Sequence, residues 1–240
     1  MAAAMIFAIA FPPAAAWLYF VELSGSAWIN AAYGAGKGIQ FAFPVAWLVL
    51  AERREWGSIG ARASAALGAL PWRRCLLPGL ASGALAAGIV LATWAVMIRD
   101  TAAGAALRAP LASRLREIGA SGPLSFLALA LFLSFAHSLL EEYYWRWFVF
   151  GRLERAAGFA VALAVGSMGF AGHHAVVLWY YLGSGPRPEL VWLYSAGVAA
   201  GGALWGWLYH RHGSLLPGWI SHVMADLAIM WVGYAMAIAG

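Results

Sequence analysis

The chain has 240 residues, of which 63% are hydrophobic and only 10% are charged, and its mean hydropathy is +0.75. Soluble domains carry about 25% charged residues, so this composition excludes a soluble globular protein and indicates an integral membrane protein. The formal net charge of +5 does not indicate nucleic-acid binding. The arginines lie in short connections between apolar runs, where such residues set topology and contact anionic lipids.

Apolar runs long enough to cross the membrane recur along the chain, since about 20 apolar residues span the hydrocarbon core as a helix. These runs are apolar on all sides and do not alternate with the two-residue period of barrel strands. We therefore predict an all-α, polytopic transmembrane helix bundle of about seven spans, with the catalytic cavity in its C-terminal half. The predicted spans cover approximately residues 3–22, 38–51, 76–98, 123–150, 157–181, 190–209 and 214–238, and the second, which is the shortest, could extend backwards to Trp28.

The chain is expected to form a single integral membrane domain over residues 1–240. Residues 1–122 contain variable N-terminal spans and a surface helix, and residues 123–240 contain the motifs and form the predicted catalytic core. The surface helix is predicted over 107–118, where leucines recur at three- and four-residue spacing with arginines between them. Glycine pairs four residues apart predict close contacts between helices: Gly79 with Gly83, Gly197 with Gly201, and Gly202 with Gly206.

A small excess of basic residues places the connection over 52–75 in the cytoplasm, and Lys37 is assigned to the connection before the second span. The Ala-, Gly- and Arg-rich composition indicates a prokaryote, so we expect a multi-pass protein of the prokaryotic cytoplasmic (inner) membrane. The expected partners are membrane lipids and a membrane-associated peptide or protein substrate, with no nucleic acid. The sequence does not indicate the oligomeric state.

Ionisable side chains are costly within a membrane, so those inside a span mark functional sites by default. The first such group lies in the fourth predicted span. Glu142 and Arg146 are four residues apart on a helix and are expected to form an ion pair. Glu141 is about 100° around the helix from Glu142, has His137 one turn earlier, and is therefore the carboxylate that remains free for chemistry.

Two further groups lie in later spans. Phe170, His173 and His174 fall within an apolar run, and because adjacent histidines point in different directions, only one is expected to share a cavity with Glu141. His222 and Asp226 are four residues apart on the final span, a spacing at which the carboxylate can orient the imidazole and fix its tautomer. By contrast, His210 and His212 lie in a hydrophilic turn and are interpreted as interfacial.

These three groups, in this order, resemble the motifs of the CPBP family, also called the Abi or CAAX-protease family, which includes the Rce1-type prenyl-protein endopeptidases. The first motif stands as Glu141-Glu142 followed by Arg146, and the second as Phe170 followed by His174, which selects His174 over His173. The third stands as His222 followed by Asp226. The resemblance covers roughly residues 123–238.

The resemblance implies an intramembrane glutamic endopeptidase that hydrolyses a peptide bond in a membrane-associated protein or peptide and needs no cofactor. It implies that Glu141 is the general base that activates water, and that His174 and His222 polarise the scissile carbonyl and its oxyanion. Asp226, which stands where the prenyl-protein proteases carry Asn, would complete or orient the group formed by these two histidines. Glu142, Arg146 and Phe170 would be supporting residues.

Two alternatives remain open from the sequence. Two histidines and a carboxylate can hold Zn²⁺ and generate hydroxide, with Glu141, His174 and His222 as the ligands. We favour the metal-free mechanism because the chain contains no short paired-histidine zinc motif. The other alternative is a non-catalytic membrane scaffold or bacteriocin self-immunity protein, in which the same polar cluster fixes helix packing.

Overall fold

The computed structural model describes residues 2–52, 72–183 and 187–239. Over these ranges the secondary structure is helical and contains no strand, which confirms the predicted all-α class. Six helices are long and apolar enough to cross a membrane: α1 (Ala2–Glu22), α2 (Ile29–Ala51), α3 (Trp72–Met97, apolar from Arg74), α5 (Pro123–Ala157), α6 (Phe159–Leu182) and α8 (Leu216–Ala237). Two more helices are α4 (Ala102–Glu117) and α7 (Glu189–His212).

The six candidate spans agree closely with the predicted bundle, with two differences in detail. Helix α7 covers the predicted span over 190–209. It is not among the six candidate membrane spans, because its polar ends and its glycines lower its hydropathy. Helix α2 begins at Ile29 rather than at residue 38, so Lys37 lies inside a candidate span and not in a connection. The connection over 52–75, which was predicted to lie in the cytoplasm, falls mostly outside the described residues.

Helix α5 is continuous over 35 residues but changes its winding at the functional motif. An α-helical turn over Ser138–Glu142 is flanked by π-helical segments at Phe132–His137 and Tyr143–Phe150. Segments of π-helix are rare and are frequent at functional sites, because the wider turn changes which side chains share a face. The two glutamates of the first motif therefore lie on a short α-helical turn between two wider ones.

The aromatic part of α5 forms the centre of the main hydrophobic core. Tyr144, Trp145 and Phe148 are fully or almost fully buried, and they pack with residues of α1, α6 and α7. The Tyr144 hydroxyl donates a hydrogen bond of 2.7 Å to the Ala8 carbonyl oxygen. Helix α5 is thus packed on several sides, and its glutamates adjoin this core.

Close packing between α3 and α8 depends on the glycine pair in α3. A Cβ atom at Gly83 would lie 2.6 Å from the Met224 Sδ and 3.0 Å from the Ser221 Cα, and one at Gly79 would lie 3.0 Å from the Pro217 carbonyl oxygen. The predicted close contact is therefore confirmed here. It fixes α8, which carries His222 and Asp226, against α3.

The other two glycine pairs differ from each other. At Gly202 and Gly206 of α7, a Cβ atom would lie within 3.3 Å of α6, at the Ser167 Cα and the Leu163 Cδ1 respectively. At Gly197, by contrast, a Cβ atom would meet open space, so the predicted contact of that pair is wrong. Only the part of α7 around Gly202 and Gly206, next to the functional motifs, packs closely against α6.

The predicted surface helix over 107–118 coincides with most of α4, whose apolar side faces the protein. Leu107 is buried in a cluster with Ile98, Leu190 and Met236, and Leu115 is buried in a second cluster beside α5 and α8. Helix α4 therefore lies against the bundle.

Candidate active site

Glu141 is the centre of a buried polar cluster. Its side chain is only 3% exposed, and its Oε1 lies 3.3 Å from the His137 Nε2 and 3.5 Å from the His173 Nε2. Its Oε2 lies 3.7 Å from the His222 Nε2. Three imidazoles from α5, α6 and α8 thus face one carboxylate. Among the described residues, Oε1 has no partner with hydrogen-bond geometry, so this oxygen can accept a proton or a hydrogen bond from a further group.

Glu142 faces a different set of partners from its neighbour. Its Oε1 lies 3.3 Å from the Arg146 Nη1, which confirms the predicted ion pair within α5. The same oxygen lies 2.9 Å from the His222 Nδ1 and accepts its hydrogen bond. Glu142 therefore connects the first motif directly to the third.

Arg146 is buried beneath this pair, with its guanidinium 4.4 Å from the centre of the Phe170 ring and 5.0 Å from that of the Trp205 ring. Such cation–π contacts offset part of the cost of burying a guanidinium. Phe170 also packs edge-to-face against His222, with ring centres 5.9 Å apart. The second motif's aromatic residue thus contacts both the arginine and the His222 imidazole.

His222 is held on three sides. Its ring stacks on the Trp205 indole at a centre-to-centre distance of 3.8 Å, its Nδ1 donates to Glu142, and its Nε2 lies 3.7 Å from the Asp226 Oδ1. The sequence predicted Asp226 as the carboxylate that fixes the tautomer of His222. The structure instead gives the hydrogen bond to Glu142, because α5 crosses α8 at this residue, and Asp226 is a more distant neighbour on the Nε2 side.

His174 has its Nδ1 2.9 Å from the Phe170 carbonyl oxygen, one turn earlier in α6. A carbonyl oxygen can only accept, so Nδ1 carries the proton and Nε2 of the neutral ring is left as an acceptor. His173 is buried and stacks on Trp145 at 6.3 Å. The two histidine rings are 4.0 Å apart.

Both adjacent histidines lie close to Glu141, so the expectation that only one would share its cavity is wrong. Glu141, His173 and His174 offer possible metal-ligand atoms that all lie within 4.8 Å of one another. Residues 100° apart on a helix can both reach a group that lies between their two directions. Among the described residues, this set fits a metal ion by geometry, with His173 in the place that the sequence predicted for His222.

The remaining sequence-predicted residues lie away from this cluster. His210 is exposed and pairs with Glu154 at the end of α5, and His212 ends α7. Their interpretation as interfacial residues agrees with these positions. The residues that sequence reasoning missed are the indoles of Trp145 and Trp205, since 14 tryptophans leave no signal that marks these two.

The fold and this cluster define a class: a multi-pass membrane protein with a carboxylate–imidazole site buried among its helices. A comparison with family models matches residues 123–228 to the family described as type II CAAX prenyl endopeptidase Rce1-like. This part of the chain contains all three motifs and is similar to the Rce1-like family. That family is one of membrane proteases, and the match bears out the predicted resemblance to the CPBP family. No curated protein and no solved structure matches the chain with significance.

Proposed function

We propose that this protein is an intramembrane endopeptidase that hydrolyses a peptide bond in a membrane-associated protein or peptide by means of water activated by Glu141. The observation that carries this proposal is the position of the Glu141 carboxylate. It is buried, it faces three imidazoles, and its Oε1 has no hydrogen-bond partner among the described residues. A general base needs such a free oxygen next to the proton that it removes.

Glu141 and His174 would accept the two hydrogens of the attacking water. Glu141 accepts one proton of the water, and the Nε2 of His174, left as an acceptor by the hydrogen bond to the Phe170 carbonyl, accepts the other O–H. The oxygen lone pair is then directed at the scissile carbonyl carbon. A carbon–oxygen bond forms, the carbonyl electrons move to its oxygen, and the proton taken by Glu141 is later delivered to the leaving amine as the carbon–nitrogen bond breaks.

The oxyanion needs a donor on the opposite side of the carbonyl. His222 suits this role when protonated, since its Nδ1 is bound to Glu142 and its Nε2 is directed towards Glu141 and Asp226. Asp226 lies on the more exposed side of this group, with a side chain 22% exposed. It would orient the Nε2 side of the imidazole, while Glu142 and Arg146 hold the Nδ1 side.

The substrate would approach from the membrane or its interface, because the site lies among apolar helices. We place the protein in the cytoplasmic (inner) membrane of a prokaryote, which rests on its composition, in contact with membrane lipids. The match to the Rce1-like family model supports a peptide or protein substrate.

A zinc-dependent form of the same hydrolysis is the second candidate, favoured by the grouping of Glu141, His173 and His174. These residues would hold the ion, which would supply an activated hydroxide and polarise the carbonyl. The same protein residues would then bind and orient the substrate. In this form His173 would be required as a ligand, whereas in the metal-free form it only packs beside Glu141.

The test is cleavage by the purified protein in detergent of a panel of membrane-anchored and CAAX-type peptides, with and without a chelator. Cleavage that is lost in Glu141→Gln and resists the chelator supports the metal-free proposal. Chelator sensitivity that added Zn²⁺ reverses supports the zinc-dependent form. Glu117→Gln, an exposed acid on α4, is the matched control. Absence of cleavage by well-folded wild-type protein would favour the scaffold or self-immunity alternative.

A further inference from the structure

A small cavity lies where α5, α6 and α7 meet, next to the buried guanidinium of the first motif. Its volume is about 10 Å³, which is about the least that holds one water molecule. The residues that line it include Trp145 and Arg146 of α5, Gly166 and Ser167 of α6, and Gly202 and Gly206 of α7. All six are buried, so the cavity is an internal feature of the bundle.

Glycines on two helices determine the space in this cavity. A Cβ atom at Gly202 would lie 3.3 Å from the Ser167 Cα, so the backbone of α7 forms a close wall against α6. Gly166 differs, because it is buried and a Cβ atom there would meet no atom of the surrounding helices within 4 Å. A methyl group at Gly166 would therefore enter the cavity and not a packed neighbour.

Two side chains of the cavity wall carry donors that need an acceptor. Arg146 is 2% exposed and Trp145 is 1% exposed, and among the described residues neither the Arg146 Nη2 nor the Trp145 Nε1 has a hydrogen-bond partner. A guanidinium and an indole N–H can only donate. Buried donors without a partner are rare in folded proteins, because each loses its bonds to water and gains nothing in return.

Ser167 offers an acceptor on the other side of the cavity. Its Oγ donates a hydrogen bond of 2.6 Å to the Leu163 carbonyl oxygen, so its lone pairs can still accept. We propose that the cavity binds one ordered water molecule, which accepts hydrogen bonds from the Arg146 Nη2 and the Trp145 Nε1 and donates one to the Ser167 Oγ. About three partners are usual for a buried water. This water joins α5 to α6 and completes the hydrogen bonds of the motif arginine.

The charge balance and the size of the cavity favour water over an anion such as chloride. The Arg146 Nη1 lies 3.3 Å from the Glu142 Oε1, so the guanidinium already has a counter-charge inside the bundle. An anion in the cavity would add an unmatched negative charge among apolar helices, which is costly within a membrane. A chloride ion is also larger than the single water for which the cavity has room.

The direct test is a crystal structure of the wild-type protein grown with bromide in place of chloride. We expect a density peak at hydrogen-bond distance, about 2.7–3.2 Å, from the Arg146 Nη2 and the Trp145 Nε1, without the anomalous signal of bromide. A bromide signal at this place would overturn the inference in favour of an anion site. A cavity without density between well-defined side chains would overturn it as well.

Thermal unfolding in detergent gives a second test, in which the sign of the effect decides. Alanine in place of a helical glycine normally stabilises, and filling a dry cavity would add to that gain. If water is bound, the methyl group of Gly166→Ala displaces it and leaves the donors of Arg146 and Trp145 unpaired. The control is Gly197→Ala in α7, where a Cβ atom would also meet no atom within 4 Å.

We expect the Tm of Gly166→Ala to lie below that of Gly197→Ala by about 3 °C or more. An equal or higher Tm for Gly166→Ala would overturn the inference, since it would show that the cavity holds nothing that the methyl group displaces. Neither test uses peptide cleavage, so the water site and the proposed function are tested independently.

Discussion

The Glu142 Oε1 lies 2.9 Å from the His222 Nδ1, although the two residues are 80 positions apart in the chain. This contact joins α5 to α8 at the centre of the site. A carboxylate that accepts from one nitrogen of an imidazole fixes its tautomer and directs the other nitrogen. Here the second nitrogen is directed towards Glu141 and Asp226, so the second glutamate of the motif positions the third motif's histidine.

Glu142→Gln should therefore lower kcat with little effect on KM. Loss of an orienting carboxylate typically costs 10- to 100-fold, because the imidazole loses its preferred orientation and the buried Arg146 loses its counter-charge. Steady-state kinetics of the purified variant measure this effect, and Glu154→Gln, at the far end of α5, is the matched control. A Glu142→Gln protein with wild-type kcat would show that the contact has no part in catalysis.

His173 and His174 are expected to differ in their importance. In the metal-free mechanism, His174→Ala should reduce kcat by at least about 100-fold, as for other groups that assist proton transfer. His173→Phe, which keeps an aromatic ring against Trp145, should retain a substantial part of the activity. Both variants are compared in the same cleavage assay, with thermal unfolding as the check on folding. Equal inactivation of the two would support the zinc-dependent form, in which both rings are ligands.

The glycine contact between α3 and α8 gives a prediction about stability. Gly83→Ala would place a Cβ atom 3.0 Å from the Ser221 Cα, and since backbone cannot move as easily as a side chain, the helices must separate slightly. Overpacking of this kind costs about 1–3 kcal/mol. The Tm in detergent should fall, and cleavage should weaken because α8 carries His222. Gly88→Ala in the same helix meets open space and should leave the Tm unchanged. Equal Tm values for the two variants would contradict the close packing.

An ion pair at the end of α2 predicts a dependence of stability on pH. Glu52 accepts hydrogen bonds from the Arg152 Nε at 3.0 Å and Nη2 at 2.8 Å, and from the Trp47 Nε1 at 2.8 Å. Partial burial opposes ionisation of this carboxyl, but the hydrogen bonds from Arg152 and Trp47 outweigh it, so the pKa of Glu52 lies below its ordinary value. A depressed folded-state pKa contributes stability above the unfolded pKa of about 4.3, and this contribution is lost as the pH falls through the folded pKa.

Glu52→Gln should therefore lower the Tm at pH 7, by an amount that corresponds to about 1 kcal/mol or less for a partly solvated pair. The difference from wild type should shrink as the pH is lowered below 4, since the wild-type carboxylate is then protonated as well. Thermal unfolding over a pH series measures both effects. The control is Glu22→Gln, an exposed acid that accepts from Trp17. A difference that stays constant over the whole series would contradict an ionic contribution.

The parts of the structure that were predictable depend on local or compositional patterns. Long apolar runs make helices the only way to satisfy the backbone in a membrane, and the four-residue spacing of Glu142 and Arg146 places them together on any helix. The second span was placed from residue 38, with an extension back to Trp28 left open, because Gly34, Gly36 and Gly38 lower the hydropathy around Lys37. A polar residue inside a span was therefore interpreted as part of a connection.

The relationships that were not predictable depend on how separate helices cross. The hydrogen bond from His222 to Glu142 needs the relative rotation of α5 and α8, which the spacing of residues within either helix does not contain. The π-helical turns on either side of Ser138–Glu142 have no sequence pattern of their own. The shared approach of His173 and His174 to Glu141 likewise follows from how α6 lies against α5, not from the order of residues.

The rate of peptide cleavage by Glu141→Gln under single-turnover conditions tests the central proposal most directly. Glutamine has nearly the same shape as glutamate but cannot take a proton from water, so the rate should fall by about 10²- to 10⁴-fold while the Tm and the affinity for the peptide stay close to those of the wild type. A chelator should leave the wild-type rate unchanged. A Glu141→Gln protein that cleaves at the wild-type rate would contradict the assignment of Glu141 as the base.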